Sequence, residues 1–198
     1  GAAAPDFVKR LAAGDASEED PVSAPRVVMR SFFWSPTFQA PDEDELIEEV
    51  LRTWVGDEGY PGSSVQSPNW PFIAPGTTGV NNALAPTYCD LTSLPDVDPK
   101  PPILWIRGDT DQVVSDASFF DLGTLGQMGA VPGWPGEDAF PPQPMIAQTR
   151  RVFDRYRERG GPLTEIVLDG CGHGPPVERA EDVARRLADH VAGGAVRS

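Results

Sequence analysis

Hydrophobic and polar positions follow two different periods in the part of the chain from residue 103 onward. The runs 103–106 (ILWI) and 164–168 (TEIVL) are short, apolar and bounded by proline or glycine, which is typical of buried strands. Between and after these runs, apolar residues recur every three or four positions, at 145–156 and at 183–191, as on one face of a helix. The order strand, helix, strand, helix predicts parallel strands in an α/β fold.

The pattern before residue 99 is less regular. Residues 7–12 have helical spacing, and segment 26–34 (RVVMRSFFW) is predicted as either a strand or a helix. A further helix is predicted to begin at Pro41 and Asp42 and to end at Gly56. Its apolar stripe consists of Leu46, Ile47, Val50, Leu51 and Trp54. Residues 56–102 have no period and many Gly, Pro, Asn and Ser, as in a functional loop or lid.

Composition and charge exclude several classes of partner. The 198 residues include 22 Pro and 20 Gly, which concentrate in 56–102 and in a second irregular stretch, 121–144. The net charge of −14 and the lack of clustered Lys and Arg argue against a nucleic-acid partner. No apolar run approaches the roughly 18 residues that span a bilayer, and no signal-peptide pattern is visible, so we expect no membrane association and a cytoplasmic location.

The two cysteines, Cys89 and Cys171, cannot form a four-cysteine zinc site and are expected to be free thiols. We therefore expect neither a metal nor another cofactor.

Two polar turns follow the two predicted strands. Residues 108–111 (GDTD) follow the first strand, and residues 170–173 (GCGH) follow the second. Ligands bind at the carboxyl ends of parallel strands, where an aspartate of the first turn and the histidine of the second can meet. A carboxylate that accepts a hydrogen bond from one imidazole nitrogen leaves the other nitrogen free as a general base. Gly170 and Gly172 are expected to give the backbone the angles that bring His173 into the cleft.

These segments resemble the α/β-hydrolase family. Residues 101–116 (PPILWIRGDTDQVVSD) are similar to the family's acid strand and turn, and residues 169–191 to its histidine turn and last helix. The resemblance implies that Asp111 is the catalytic acid and His173 the catalytic histidine, with Asp109 and Asp116 as weaker candidates for the acid. It also implies a helical or loop-rich cap in residues 1–98 and the C-terminal part of the hydrolase core in residues 99–198.

The family's nucleophile is missing from the chain. No serine stands in a G-x-S-x-G turn between a strand and a helix. We therefore expect an N-terminal half or subunit, a separate polypeptide or part of a processed precursor, to supply the nucleophile and the oxyanion hole. The expected function is hydrolysis of an ester, lactone or amide by a Ser-His-Asp triad. The alternatives are a non-catalytic binding module and an Asp-nucleophile dehalogenase or epoxide hydrolase.

Aromatic residues in the irregular region are candidates for binding a small apolar substrate. The candidates are Trp54, Tyr60, Trp70 and Tyr88. Ordinary packing inside the cap is the competing interpretation for each of them. Cys171 stands two residues before His173, which suggests a Cys–His nucleophile pair. Two side chains so placed on a tight turn rarely face each other, so we interpret Cys171 as a packing residue.

Overall fold

The computed structural model describes residues 3–195, and the chain forms two units. The first unit comprises the chain up to Ser31 together with Pro41–Asp90 and Leu122–Pro142. The second comprises Phe32–Ala40, Leu91–Asp121 and the chain from Gln143 onward. The boundary between residues 98 and 99 stays a prediction. None of the helices within residues 3–195 combines the length and apolar character that crossing a membrane requires.

The first unit contains short helices and two small strand pairs. Its elements are α1 (Pro5–Ala12), α2 (Pro25–Val28), α3 (Glu43–Leu51), β1 (Val55–Gly56), β2 (Tyr60–Pro61), β3 (Ser64–Gln66), β4 (Ile73–Pro75), α4 (Val80–Ala83) and α5 (Leu122–Gln127). Strands β1 and β2 pair in parallel, whereas β3 and β4 pair antiparallel. Segment 26–34 was predicted as strand or helix, and it is helical up to Phe33. Helix α2 begins with Pro25, a residue favoured in the first turn of a helix, and the chain continues as a π-helix, Met29–Phe33.

The predicted helix at residues 42–56 is wrong at its C-terminal end. Helix α3 ends at Leu51, where the backbone N–H and the hydroxyl of Thr53 both donate to the Val50 carbonyl. The Trp54 carbonyl then accepts a hydrogen bond from the Tyr60 N–H, which draws the chain into β1 and β2. Trp54 therefore lies outside the helix and is 69% exposed.

The second unit contains the predicted parallel α/β pattern. Its elements are a 3-10 helix (Leu94–Asp96), β5 (Ile103–Gly108), α6 (Met145–Glu158), β6 (Leu163–Leu168), α7 (Pro175–Glu178) and α8 (Ala180–Ala195). Strands β5 and β6 are parallel, in register from Ile103 opposite Leu163 to Gly108 opposite Leu168. The molecule is therefore a mixed α/β protein whose sheets, within residues 3–195, each have two strands.

A small buried cluster lies beneath the two turns, 108–111 and 170–173, that follow strands β5 and β6. Leu168, Cys171 and Val183 form a buried cluster, against which Ile106 and Ile166 pack. Helix α6 is held to the start of β5 by the hydroxyl of Tyr156, which is fully buried and donates to the Pro101 carbonyl.

The predicted apolar stripe of the last helix is only partly buried. Val183 lies in the cluster just described, but Leu187 and Val191 are exposed. Burial in the helix is therefore greatest in its first turn and decreases toward Val191, which is 70% exposed.

Candidate active site

The acid turn holds the carboxylate of Asp111 in one orientation. Its Oδ1 accepts hydrogen bonds from the backbone N–H groups of Val113, at 2.7 Å, and Val114, at 2.9 Å. Only 10% of the Asp111 side chain is exposed. A short polar side chain that bonds the backbone two and three residues ahead is the usual way in which aspartate closes a turn. These bonds leave Oδ2 to face the histidine.

The histidine turn reaches the same place from β6. Gly170 has a φ of +62°, a left-handed conformation that glycine adopts without steric cost, and the turn reverses the chain there as predicted. The backbone N–H groups of His173 and Gly174 both donate to the carbonyl of Phe33, at 2.9 and 3.2 Å. The main chain of the histidine is thus fixed by a residue 140 positions earlier in the sequence.

Asp111 and His173 form a hydrogen-bonded pair. His173 Nδ1 lies 3.0 Å from Asp111 Oδ2. Burial alone would raise the pKa of Asp111, but the hydrogen bond and charge of His173 and the N–H groups of Val114 and Val113 outweigh it and lower that pKa below 3.8. The carboxylate is therefore ionised at neutral pH and can only accept, so Nδ1 carries the proton. Nε2 is then the basic nitrogen of His173, whose side chain is 32% exposed.

A second set of hydrogen bonds ties the two turns to each other. The backbone N–H of Thr110 and its hydroxyl both donate to the Cys171 carbonyl, at 3.0 and 2.8 Å. Asp109 N–H continues the strand ladder by donating to the Leu168 carbonyl. The acid and the histidine are consequently neighbours through the backbone as well as through their side chains.

Glu178 connects the histidine turn to the segment that follows the π-helix. Its Oε1 accepts the N–H of Gly172 at 2.8 Å, and its Oε2 accepts the N–H of Ser35 at 3.0 Å. Gly172 is required here for proximity rather than for an unusual backbone angle, since a Cβ at this position would lie 2.6 Å from the backbone of Trp34 and Ser35. This differs from the role that we expected for Gly172.

A cavity of about 180 Å³ lies beside the pair. It is lined by Trp105, Ile106, Arg107, Asp111, Val114, Ile146, His173 and Pro175. The Arg107 guanidinium is held by Glu165, at 2.9 Å, and Glu165 also accepts from Arg150 at the same distance. The hydrogen bonds from Arg150 and Arg107 lower the pKa of Glu165 against the opposing effect of its burial. The cavity therefore combines apolar walls, one paired cation and the acid–histidine pair.

A larger hollow of about 410 Å³ in the first unit has a different character. It is lined mainly by charged residues that bond one another, with Arg10 paired to Asp15 and also hydrogen-bonded to Ser23. These ion pairs account for the charges there as surface structure.

The weaker candidates for the acid have other roles. Asp116 Oδ1 accepts the backbone N–H of Ala147, at 2.9 Å, in the first turn of α6, where a carboxylate also favours the positive end of the helix dipole. Asp109 is exposed. Of the three aspartates, it is Asp111 that contacts the histidine.

The two cysteines are free thiols in different surroundings. Cys89 is exposed and Cys171 is fully buried. Burial, and next the negative charge of Glu178, raise the pKa of Cys171 to about 11. A thiol with so high a pKa is protonated at neutral pH and is a poor nucleophile. This agrees with its interpretation as a packing residue.

The four aromatic candidates for substrate binding belong to the first unit, whereas the residues that line the cavity beside the pair all belong to the second. Tyr60 packs against Phe7, and Trp70 packs against Phe140 and donates to the Pro132 carbonyl. The Tyr88 hydroxyl donates to the Gly76 carbonyl. These contacts account for three of them as packing residues; a role of Trp54, Tyr60, Trp70 or Tyr88 in substrate binding stays a prediction.

Glu178 and the Phe33 carbonyl were missed by the sequence-based prediction. Glu178 lies 143 residues from Ser35, and no local sequence pattern predicts a contact over that separation. The carbonyl of Phe33 carries no side-chain signal at all.

The chain was also compared with known proteins. No protein-family model, no curated protein and no solved structure matches it.

Proposed function

We propose that this protein is the acid- and histidine-bearing part of a hydrolase of the α/β-hydrolase type, acting on an ester, lactone or amide. The observation that carries the proposal is the 3.0 Å hydrogen bond between Asp111 Oδ2 and His173 Nδ1, on turns that follow two adjacent parallel strands. Its further support is the order of the elements, in which the acid strand, a helix, the histidine strand and a closing helix follow one another.

In the proposed reaction His173 Nε2 acts as the general base. It takes the proton of the nucleophile's hydroxyl as that oxygen attacks the carbonyl, and gives the proton to the leaving group as the scissile bond breaks. It then takes a proton from the water that cleaves the acyl-enzyme bond and returns a proton to the nucleophile's oxygen. The Asp111 carboxylate stabilises the imidazolium that forms in each step. Two hydrogen bonds from Val113 and Val114 orient that carboxylate. The nucleophile and the oxyanion hole belong to a polypeptide segment that is not in this sequence, since no serine of this chain stands in a G-x-S-x-G turn.

The proposal is tested on the protein purified with the polypeptides that accompany it. A fluorophosphonate probe is expected to label a serine on an accompanying polypeptide, and mass spectrometry identifies that residue. His173→Ala is expected to abolish ester hydrolysis, and Asp111→Asn is expected to reduce kcat by about 10⁴-fold, as loss of the acid does in a serine protease. The matched control is Asp109→Asn, because that exposed carboxylate lies on the same turn.

The outcomes separate the proposal from its alternatives. Full activity in His173→Ala or Asp111→Asn overturns it. A binding module would show neither turnover nor labelling, and a dehalogenase or epoxide hydrolase would accumulate its covalent intermediate on an aspartate of the accompanying polypeptide instead of a serine.

A further inference from the structure

Four phenylalanines form a continuous cluster that ends on the ring of His173. Phe33 packs edge to face on His173, with ring centroids 5.3 Å apart. Phe120 contacts both Phe33, at 6.0 Å, and Phe32, at 5.7 Å, and Phe32 contacts Phe119, also at 6.0 Å. These distances are those of favourable aromatic pairs. We call Phe32, Phe33, Phe119 and Phe120 the phenylalanine cluster.

The cluster is held in place although part of it is exposed. Phe119 is 38% exposed and Phe120 is 48% exposed. Their loop is fastened from inside by Ser118, which is fully buried, donates to the Val113 carbonyl at 2.6 Å and accepts the Phe120 N–H at 2.9 Å. On the other side, the Phe33 carbonyl accepts the N–H of His173. The loop therefore presents the two rings outward by construction, next to the acid turn.

The cavity that this chain forms beside Asp111 and His173 is small. Its volume of about 180 Å³ is below the roughly 300–1,000 Å³ that is usual for ligand pockets. It can take the reacting group, and a longer substrate can extend from there onto a surface that His173 touches. The phenylalanine cluster contacts His173 directly, and a contiguous apolar patch at a candidate site is a typical binding surface.

We propose that the phenylalanine cluster binds an apolar alkyl or aryl group of the substrate, beside the bond that His173 helps to cleave. This inference rests on the proposed hydrolase function and adds the substrate class to it: an ester or amide with a bulky apolar substituent. Phe120 has the largest exposed fraction in the cluster, and its ring contacts those of two other members.

The test is a titration of the full chain with N-butyl-, N-hexyl- and N-octylacetamide, followed by the imidazole resonances of His173 in NMR spectra. His190, on α8, serves as the internal reference. The association constant is expected to rise about fourfold for each added methylene group that is buried, which corresponds to about 0.8 kcal/mol. Phe120→Ala is expected to weaken octylacetamide binding about tenfold and to flatten the dependence on chain length.

Two further variants keep the test decisive. Leu187→Ala is the matched control, because Leu187 is 49% exposed in the same unit, and it is expected to bind as the wild type does. Phe120→Leu keeps an apolar side chain and is expected to retain most of the affinity. An unchanged His190 resonance in Phe120→Ala shows that this variant is folded.

The inference is overturned if the His173 resonances do not move, if affinity is independent of chain length, or if Leu187→Ala weakens binding as much as Phe120→Ala. The titration needs no turnover, so its outcome is independent of the activity of His173→Ala, on which the proposed function depends.

Discussion

Replacing Glu178 with glutamine is expected to loosen the histidine turn and to lower the stability of the protein. The two carboxylate oxygens accept one backbone N–H each, from Gly172 and from Ser35. Gly172 is buried and Ser35 is 3% exposed, so water cannot replace a lost acceptor at either position. Glutamine has one acceptor oxygen, and its NH₂ group must then face the second N–H donor.

The expected loss follows from these two bonds. A buried donor left without an acceptor costs about 1–3 kcal/mol, and the remaining bond loses about 1 kcal/mol because its acceptor is no longer charged. The free energy of unfolding should therefore fall by about 2–4 kcal/mol. For a chain of this size, that corresponds to a decrease in Tm of about 5–15 °C.

Urea and thermal unfolding followed by circular dichroism measure this change. Glu181→Gln is the matched control, since Glu181 is an exposed carboxylate three residues further on in the first turn of α8. A surface substitution of this kind should change stability by less than about 0.5 kcal/mol. Equal stabilities of the two variants would refute the role assigned to Glu178.

Three further predictions concern the same turns. The pKa of Asp111 is lowered in the folded state, so its contribution to stability is present above its ordinary pKa of 3.8 and is lost as pH falls below that value. Urea unfolding between pH 2.5 and 7 should show this loss of stability at acid pH in the wild type, and a smaller loss in Asp111→Asn. Gly172→Ala places a Cβ 2.6 Å from the Ser35 nitrogen and should cost about 1–3 kcal/mol in chemical unfolding, a cost that an unchanged midpoint would exclude. Iodoacetamide at pH 8 should alkylate the exposed Cys89 and spare the buried Cys171, whose pKa is about 11. Intact-mass measurement should then show one adduct, and two adducts on the folded protein would contradict the burial of Cys171.

The part of the site that follows from local sequence is the acid–histidine pair. A short apolar run bounded by proline and glycine can only be a buried strand or a short helix, and the alternation with helical spacing decides for parallel strands. Because the carboxyl ends of parallel strands lie side by side, the two turns were expected to be close once β5 and β6 paired. The choice of Asp111 over Asp109 came from the family resemblance, and the bonds from Val113 and Val114 that orient its carboxylate are seen only in the structure.

The surroundings of the pair could not be predicted in the same way. The Phe33 carbonyl meets the histidine turn across 140 residues, and the Ser35 N–H meets the Glu178 carboxylate across 143. Both use backbone groups of the 33–35 segment that almost every residue possesses. Trp54 was assigned to a helix because its spacing is helical, but the hydroxyl of Thr53 ends that helix earlier. Propensity and period describe one element at a time, whereas these contacts depend on which elements pack together.

The double hydrogen bond from Thr110 to the Cys171 carbonyl has a consequence for assembly. It joins the acid turn and the histidine turn into a single rigid piece, whose internal alignment does not depend on any other polypeptide. A segment that brings a nucleophile therefore has to be positioned against one atom, Nε2 of His173, rather than against two residues separately. Errors in docking would change the distance to that atom while the hydrogen bond between Asp111 and His173 stays in place. If the proposed hydrolase forms, mispositioned assemblies should accordingly lose rate although the acid and the histidine remain aligned with each other.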